Sequence, residues 1–368
     1  MRPLEIGVLA VRHARNAVAE EIYLRSGRDF TRPVAIHAMV NEICNYRCRY
    51  CEYWRMPNYR PEMSIAEWQK ALRDLADFVG AGYHIEFSGG EPYLKKGFLE
   101  LIQFCHEQRV KWGVTTNGAA FSSRKVVEAT VAAKPLNINI SIDSHRADVH
   151  DYSRGIEGSL DRIVNGIANL RSCAGAAGLN FPIIIKPVVH RLNFRDLPKM
   201  VEWIREIGAT AINFQPVDRW TPETYNELWI EDPRDRADLR AVRDELIALK
   251  RQGAPIMNSE LLLRAWDDHF LSKPAPDEYR PCRVGMRNYF IRPDGAVEVC
   301  WYYKPIGNVR TSTAREIWYG AEARERRKET VACDSLCLFT CLSQKTLTDK
   351  VKMGLVLISG TNQAPGAE

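Results

Sequence analysis

From about residue 33 to residue 217 the chain alternates strand-like and helix-like stretches, and few folds accommodate that rhythm. Strands are predicted over 34–43, 84–88, 111–116, 136–142, 181–189 and 211–217. Helices fill the gaps. The first opens on Ser64-Ile65-Ala66-Glu67, a capping box, and carries Trp68, Leu72, Leu75 and Phe78 on one face until Gly80 and Gly82 stop it. The others are expected over 97–108, 122–133, 159–173 and 194–207. Six strands joined by right-handed helical crossovers lie parallel, so the expected class is α/β with a partial (β/α)6 barrel open on one side. In such sheets ligands gather at the carboxyl ends of the strands.

The first of those ends carries Cys44-Asn45-Tyr46-Arg47-Cys48-Arg49-Tyr50-Cys51, a C-x3-C-x2-C run. Three thiolates can hold three corners of an iron-sulfur cube and leave the fourth iron free of protein, although three thiolates can also bind zinc. The chain has ten cysteines in 368 residues and no secretion signal among its first thirty, so metal ligation is favoured over disulfides and a cytoplasmic location is expected. No stretch of eighteen apolar residues is present, which argues against a membrane span. The net charge of +5 comes without a dense Lys/Arg run, so neither nucleic acid nor an anionic membrane is expected as a partner.

Further motifs sit at the other strand ends. Ser88-Gly89-Gly90-Glu91-Pro92 follows the second strand, with two glycines that allow close backbone approach and a carboxylate suited to a charged amino group. Thr115-Thr116-Asn117-Gly118 follows the third, and Ser141 and Asp143, two apart, share one side near the end of the fourth. Arg154 lies just beyond, Lys186 puts a charge on an apolar strand, and Gln215-Pro216 ends the sixth. The cysteine loop, Gly-Gly-Glu-Pro and Thr-Asn-Gly together resemble the radical S-adenosylmethionine (radical SAM) family, over about half of the chain.

That resemblance implies a TIM-like partial barrel, a 4Fe-4S cluster on Cys44, Cys48 and Cys51, and S-adenosylmethionine bound at its open iron. It implies contacts to S-adenosylmethionine from Tyr50, Gly89, Gly90, Glu91, Pro92, Asn117, Ser141, Arg154 and Gln215, with Asp143 on the substrate side. The implied chemistry is reductive cleavage to a 5'-deoxyadenosyl radical that takes hydrogen from a C–H bond. The implied electron donor is a flavodoxin or ferredoxin.

The carboxyl-terminal third holds Cys282 and Cys300 in a C-x12-G-x4-C arrangement about Asp294-Gly295, a hairpin signal, followed by Cys333, Cys337 and Cys341. This resembles the twitch and SPASM appendages of radical SAM enzymes, a small hairpin-plus-helix domain holding auxiliary clusters. Five cysteines suffice for one auxiliary 4Fe-4S cluster and fall short of two. The expected ligands are Cys282, Cys300 and two of Cys333, Cys337 and Cys341, with Cys341 foremost. The fifth thiol is spare or a hydrogen donor, which makes Cys333 and Cys337 candidates for catalysis as well. Cys105 and Cys173 read as helix residues without a site role.

The expected organisation is an N-terminal helical extension (1–32), the barrel (33–217), a helical linker (218–280), the auxiliary-cluster domain (281–345) and a tail (346–368). In the linker, Trp220, Tyr225, Trp229 and Trp266 are candidates for a substrate pocket, and Asp218 and Glu223, like Asp143, for proton transfer. The functional expectation is an oxidoreductase-type enzyme acting on a small biosynthetic molecule by dehydrogenation, cross-linking or epimerisation. Maturation of a ribosomally made peptide and a non-catalytic iron-sulfur redox or sensor protein are the alternatives.

Overall fold

The computed structural model describes residues 3–56 and 61–339. Helix α1 (Pro3–Ser26) precedes strand β1 (Ala35–Met39), and the expected alternation follows: α2 (Ile65–Val79), β2 (His84–Ser88), α3 (Phe98–Glu107), β3 (Lys111–Thr116), α4 (Arg124–Ala132) and β4 (Asn137–Ile140). Two helices, α5 (Ala147–Arg154) and α6 (Ser159–Ala176), then lead to β5 (Ile183–Ile185), β6 (Val188–Val189), α7 (Leu197–Glu206), β7 (Ala211–Ile212) and β8 (Gln215–Pro216). A π-type turn at Thr224–Leu228 precedes α8 (Pro233–Arg251), α9 (Glu260–Arg264) and α10 (Trp266–Phe270). The described chain finishes with β9 (Asn288–Ile291), β10 (Ala296–Glu298), β11 (Gly307–Asn308), α11 (Ala314–Tyr319) and α12 (Ala321–Ala332).

The expected fifth and sixth strands are each broken in two. Pro187 cannot donate to a ladder and ends β5. In the sixth strand Asn258 clips both main-chain groups of Phe214, donating to its carbonyl and accepting from its N–H, each at 2.8 Å. The distal pieces β6 and β8 form their own parallel pair.

Side chains sort by strand face. Phe87 on β2 meets Phe98 of α3 edge-on at 5.6 Å, which turns that face of the sheet toward the helices. The apolar stripe of α2, Trp68, Leu72, Leu75 and Phe78, is buried there as its spacing predicts, and its capping box is formed. Full burial of each such side chain contributes roughly 1.5–3 kcal/mol. The opposite, inner face is polar. His37, Glu86 and Asn137 project from it, with Thr115 and Asn139 one row further along.

The carboxyl-terminal hairpin continues the barrel sheet. β9 pairs in parallel with β1, Ala35 opposite Asn288 through Ala38 opposite Ile291, so one sheet runs β11-β10-β9-β1-β2-β3-β4-β5-β7. Helix α1 locks this joint from outside. Asn16 Nδ2 donates to the Met286 carbonyl at 3.0 Å, and the buried Glu20 carboxylate takes Arg287 at 2.6 Å and Arg283 at 3.4 Å. Stability and site assembly therefore share a strand pairing. A chain ending at residue 280 bares the hydrogen-bonding edge of β1 and is expected to elute as aggregate in size-exclusion chromatography. A soluble 1–280 fragment with a cooperative thermal transition would show instead that the barrel stands without the hairpin.

Candidate active site

The cysteine loop hangs from the carboxyl end of β1, and its root is stitched to the end of β2. Gly90 N donates to the Asn41 carbonyl at 3.0 Å and Glu91 N to the Ile43 carbonyl at 2.7 Å. Any Cβ on Gly90 would lie 2.3 Å from the Ile43 carbonyl oxygen, and one on Gly89 would lie 2.3 Å from Asn41 Oδ1. The close approach expected of these glycines is thus made by the chain that leads into the cysteines. Glu91 is buried beneath them. Its carboxylate accepts from Thr116 Oγ1 at 2.7 Å, Asn117 N at 2.8 Å and Tyr93 N at 3.2 Å, so it ties the ends of β2 and β3 together. Burial pushes its pKa up to about 7 against those three donors.

Cys44, Cys48 and Cys51 lie near one another, and burial raises the pKa of each thiol, to about 11 for Cys44 and about 12 for Cys51. Every one has a hydrogen-bond donor. Tyr46 N points at Cys44 Sγ at 3.4 Å and Asn117 Nδ2 at 3.9 Å, the Arg154 guanidinium at Cys48 Sγ at 3.9 Å, and the main chain of Tyr53 at Cys51. Donors of this kind surround thiolates that ligate iron, and the arrangement fits a cluster carried on three thiols.

The structure gives Asp143, Arg154 and Tyr50 inward-facing positions. Asp143 is fully buried: Oδ1 accepts from Arg154 at 2.7 Å and Val188 N at 2.9 Å, Oδ2 from Tyr50 Oη at 2.7 Å and Ser153 Oγ at 2.8 Å. Burial works against its charge, yet the Arg154 guanidinium, helped by the hydrogen bond from Val188 N, holds its pKa below the ordinary range. All four donors to this carboxylate are protein groups. Likewise the Tyr50 hydroxyl is taken, and Arg154 is 6% exposed rather than extended toward a ligand. Asn117 Nδ2 bonds Asn45 Oδ1 at 2.8 Å. Ser141 is half-buried with its N–H on the Thr116 carbonyl, and Gln215 N donates to the Pro187 carbonyl. Pro92 opens a short 3-10 turn whose N–H at Tyr93 caps on Glu91.

A second group of thiols forms around the hairpin. Glu298 pairs with Phe290 and so places Cys300 toward the start of β9, where Cys282 also lies. Cys333 and Cys337 join them: Cys282, Cys300 and Cys337 each lie within electrostatic reach of Cys333, and Cys337 within reach of Cys282 and Cys300 as well. Burial is the foremost cause of the raised pKa of Cys282, Cys300 and Cys337, about 12 for Cys300. Main-chain donors at Val284 and Tyr302 meet Cys282 and Cys300, and the Tyr303 side chain hydrogen-bonds Cys333. This donor set fits a cluster held by four thiolates. Cys341 lies outside the described residues.

Between the two thiol groups stretches the inner face of the sheet. Sequence reading passed over its centre, Glu86, whose carboxylate accepts from Asn139 Nδ2 at 2.5 Å, Thr115 Oγ1 at 3.0 Å and Asn137 Nδ2 at 3.1 Å. Lys186 acts on the same carboxylate electrostatically, as expected of a charge on that strand. The period-two pattern His84-x-Glu86-x-Ser88 was the available signal. Gly113 makes room, since a Cβ there would sit 2.3 Å from Glu86 Oε2. Toward the hairpin the lining turns aromatic: His37, Phe290, Trp301, Phe339 and Trp220 form a continuous series of ring contacts. Trp229 and Trp266 belong to the core, Asp218 accepts from Tyr302 Oη at 2.9 Å, and Glu223 pairs with Arg55 at 2.8 Å.

Two family models match this architecture, the radical SAM superfamily over residues 39–204 and the SPASM iron-sulfur cluster-binding domain over 282–342. The chain belongs to the radical SAM superfamily. Its SPASM-type domain is the hairpin and helices that carry the second thiol group, and the cofactors of this family architecture are 4Fe-4S clusters and S-adenosylmethionine. Similar sequences include an AdoMet-dependent heme synthase of Methanosarcina barkeri, 24% identical and covering 78% of this chain and 82% of that protein. A PqqA peptide cyclase of Xanthomonas euvesicatoria is 27% identical over 83% of this chain and 79% of its own. The fold resembles that of Streptococcus suis SuiB bound to S-adenosylmethionine, with a TM-score of 0.64, 17% identity and coverage of 85% of this chain and 71% of that one. No helix among the described residues is long and apolar enough to cross a membrane.

Glu91 gives a pH test. Its pKa in the folded chain is raised, so the folded state holds a proton that the unfolded state releases between about pH 4.5 and 7. Stability from this group is present at the acid end and is lost as the pH rises through the folded value. Relative to Glu91→Gln, the wild type should therefore lose up to about 3 kcal/mol between pH 5 and 8. Parallel thermal melts of the two proteins check this, and a constant difference across that range would count against it.

Proposed function

We propose that the protein is a radical SAM enzyme that oxidises a C–H bond of its substrate with the help of one auxiliary 4Fe-4S cluster. In this reading Cys44, Cys48 and Cys51 hold the first cluster, and Cys282, Cys300, Cys333 and Cys337 hold the second. The observation that carries it is the convergence of those four thiols, Cys300 buried and the others half-buried, on the far side of the inner face from the cysteine loop. When bound, the first cluster and S-adenosylmethionine together supply a 5'-deoxyadenosyl radical to the space over that face.

The chain's own residues then have separable duties. The main chain of Ser88 to Glu91, with Ser141 and the Gln215 strand end, forms the rim available to S-adenosylmethionine at the carboxyl ends of the strands. Glu86, Asn137, Asn139, Thr115 and Lys186 offer hydrogen bonds and charge to a substrate lying across the inner face. Trp301, packed on Phe290 and Phe339, borders the end nearer the hairpin, and the packed sheet and helices keep bulk water from a reactive carbon radical. Cys282, Cys300, Cys333 and Cys337 would satisfy a cubane completely and leave no iron for substrate, so a cluster held there would supply an electron acceptor for an oxidation rather than a binding site. The first electron comes from a flavodoxin or ferredoxin.

A peptide is the substrate class this lining favours, since a row of side-chain amides, a carboxylate and an ammonium matches peptide donors and acceptors. The likeness to peptide cyclases supports it. The heme synthase likeness supports a second reading, an iron tetrapyrrole, whose carboxylates Lys186 would meet.

Anaerobic reconstitution tests the core of the proposal. The protein should take up about eight irons and release 5'-deoxyadenosine when given S-adenosylmethionine and a strong reductant. Replacing Cys44, Cys48 or Cys51 by Ser should abolish that release. Replacing Cys333 or Cys337 should remove about half of the iron while the substrate-free release continues, and Cys341→Ser should keep the full complement. Protein that binds iron but never forms 5'-deoxyadenosine would overturn the enzyme reading in favour of an electron carrier. Mass spectrometry of a candidate peptide and of iron coproporphyrin after turnover, looking for loss of hydrogen or of carboxylate, then separates the two substrate readings.

A further inference from the structure

Behind Cys48 lies a buried ion pair, Arg154 with Asp143, whose positive member reaches that thiol. Arg154 ends α5, its carbonyl accepting from Arg47 N at 3.2 Å while Ser153 accepts from Arg49 N at 2.9 Å, so the helix end is laced to the cysteine loop. The guanidinium forks. Nη2 binds Asp143 Oδ1 at 2.7 Å and Nη1 points at Cys48 Sγ from 3.9 Å, with the Tyr50 ring 5.4 Å from its centre. Side-chain exposure is 7% for Arg154 and 0% for Asp143, so water screens neither. His150 and His190 flank the pair as neutral rings, their pKa values pushed by burial to about 4.

A neutral ion pair exerts a directed field when one end is nearer the target. Here the positive end is nearer. Asp143 is held by Val188 N, Tyr50 and Ser153 on the other arm of the guanidinium, and its opposing charge at Cys48 is the weaker of the two. Arg154 cannot lose its charge at any pH the protein meets. Hydrogen bonds and positive charge at a ligand sulfur stabilise the more negative, reduced state of an iron-sulfur cluster and so raise its reduction potential.

We propose that Arg154 is a positioning residue that sets the potential of the cluster on the cysteine loop through Cys48, and that Asp143 moderates it by partial neutralisation. The two members of one salt bridge then act with opposite sign. Loss of the guanidinium makes the cluster harder to reduce; loss of the carboxylate leaves an uncompensated cation at the sulfur and makes it easier. A purely structural brace predicts no such split, because loosening from either side would disturb the loop alike.

The inference rests on the reading that Cys44, Cys48 and Cys51 carry a cluster, and iron analysis of Cys48→Ser tests that reading separately. The test of the inference itself is a redox titration of the anaerobic, fully loaded protein followed by electron paramagnetic resonance, the first cluster being recognised by the change that S-adenosylmethionine makes in its signal. Arg154→Gln should shift the midpoint of that signal to more negative potential. Asp143→Asn should shift it to more positive potential, Arg154→Lys should stay between wild type and Arg154→Gln, and the auxiliary signal should not move in any of them. A wild-type midpoint in Arg154→Gln at full iron content, or shifts of the same sign in Arg154→Gln and Asp143→Asn, would overturn the proposal. If Arg154→Gln takes up no iron, Asp143→Asn decides: a positive shift supports the proposal, and its absence refutes it.

Discussion

The main chain from Asn41 to Ile43 lies directly on bare Gly89 and Gly90, and the geometry of the cysteine loop follows from that contact. Two short hydrogen bonds fix the loop root to the end of β2, and Glu91 below them fixes β2 to β3. Side chains at either glycine would drive the segments apart, since 2.3 Å is far inside any carbon-oxygen contact. The three thiols are thus placed by backbone rather than by their own packing. On the opposite flank the loop is laced to α5 through residues 153 and 154, so it is held from two independent elements. A ligand set of three cysteines within eight residues cannot wander under that double constraint.

Strand β9 does for the second thiol group what Gly89 and Gly90 do for the first. By pairing with β1 it puts Cys282 and Cys300 in the frame of the strand that delivers Cys44, and α1 seals the joint with Glu20 between Arg283 and Arg287. Because β10 runs antiparallel to β9, Cys300 is returned toward the amino ends of the strands while Cys44 leaves from a carboxyl end. The inner face of one sheet therefore lies between the two groups. Its polar residues are braced on one another, Glu86 across Gly113 to Asn137 and Asn139, rather than left free to collapse onto the helices.

The period of the sequence disclosed the barrel because each helix carries a clean apolar stripe, as Trp68, Leu72, Leu75 and Phe78 do, and each strand ends in a turn signal. The joining of β9 to β1 was not legible, since strand pairing across 250 residues leaves no local trace in either segment. The cysteine loop could be read from spacing alone. Asp143 and Arg154 could not: a carboxylate and a guanidinium eleven residues apart look like surface or ligand groups until the fold buries them on each other. Which of Cys333, Cys337 and Cys341 accompany Cys300 could not be read from spacing, and the turn after α12 is what brings Cys333 to Cys300.

Burial of Arg154 and Asp143 is costly enough to require a return. Taking two ions out of water commonly exceeds what their mutual attraction restores, and an apolar pair of similar size would often stabilise the fold better. At an effective dielectric near 20 a unit charge 4 Å away still acts with about 4 kcal/mol, so a buried guanidinium beside Cys48 is a large perturbation on any charge held there. Stability does not account for such an arrangement, and the hydrogen bonds of Tyr50, Ser153 and Val188 to Asp143 add rigidity more than energy. What the pair does supply is a fixed field at one sulfur, delivered by groups that neither solvent nor substrate can reach.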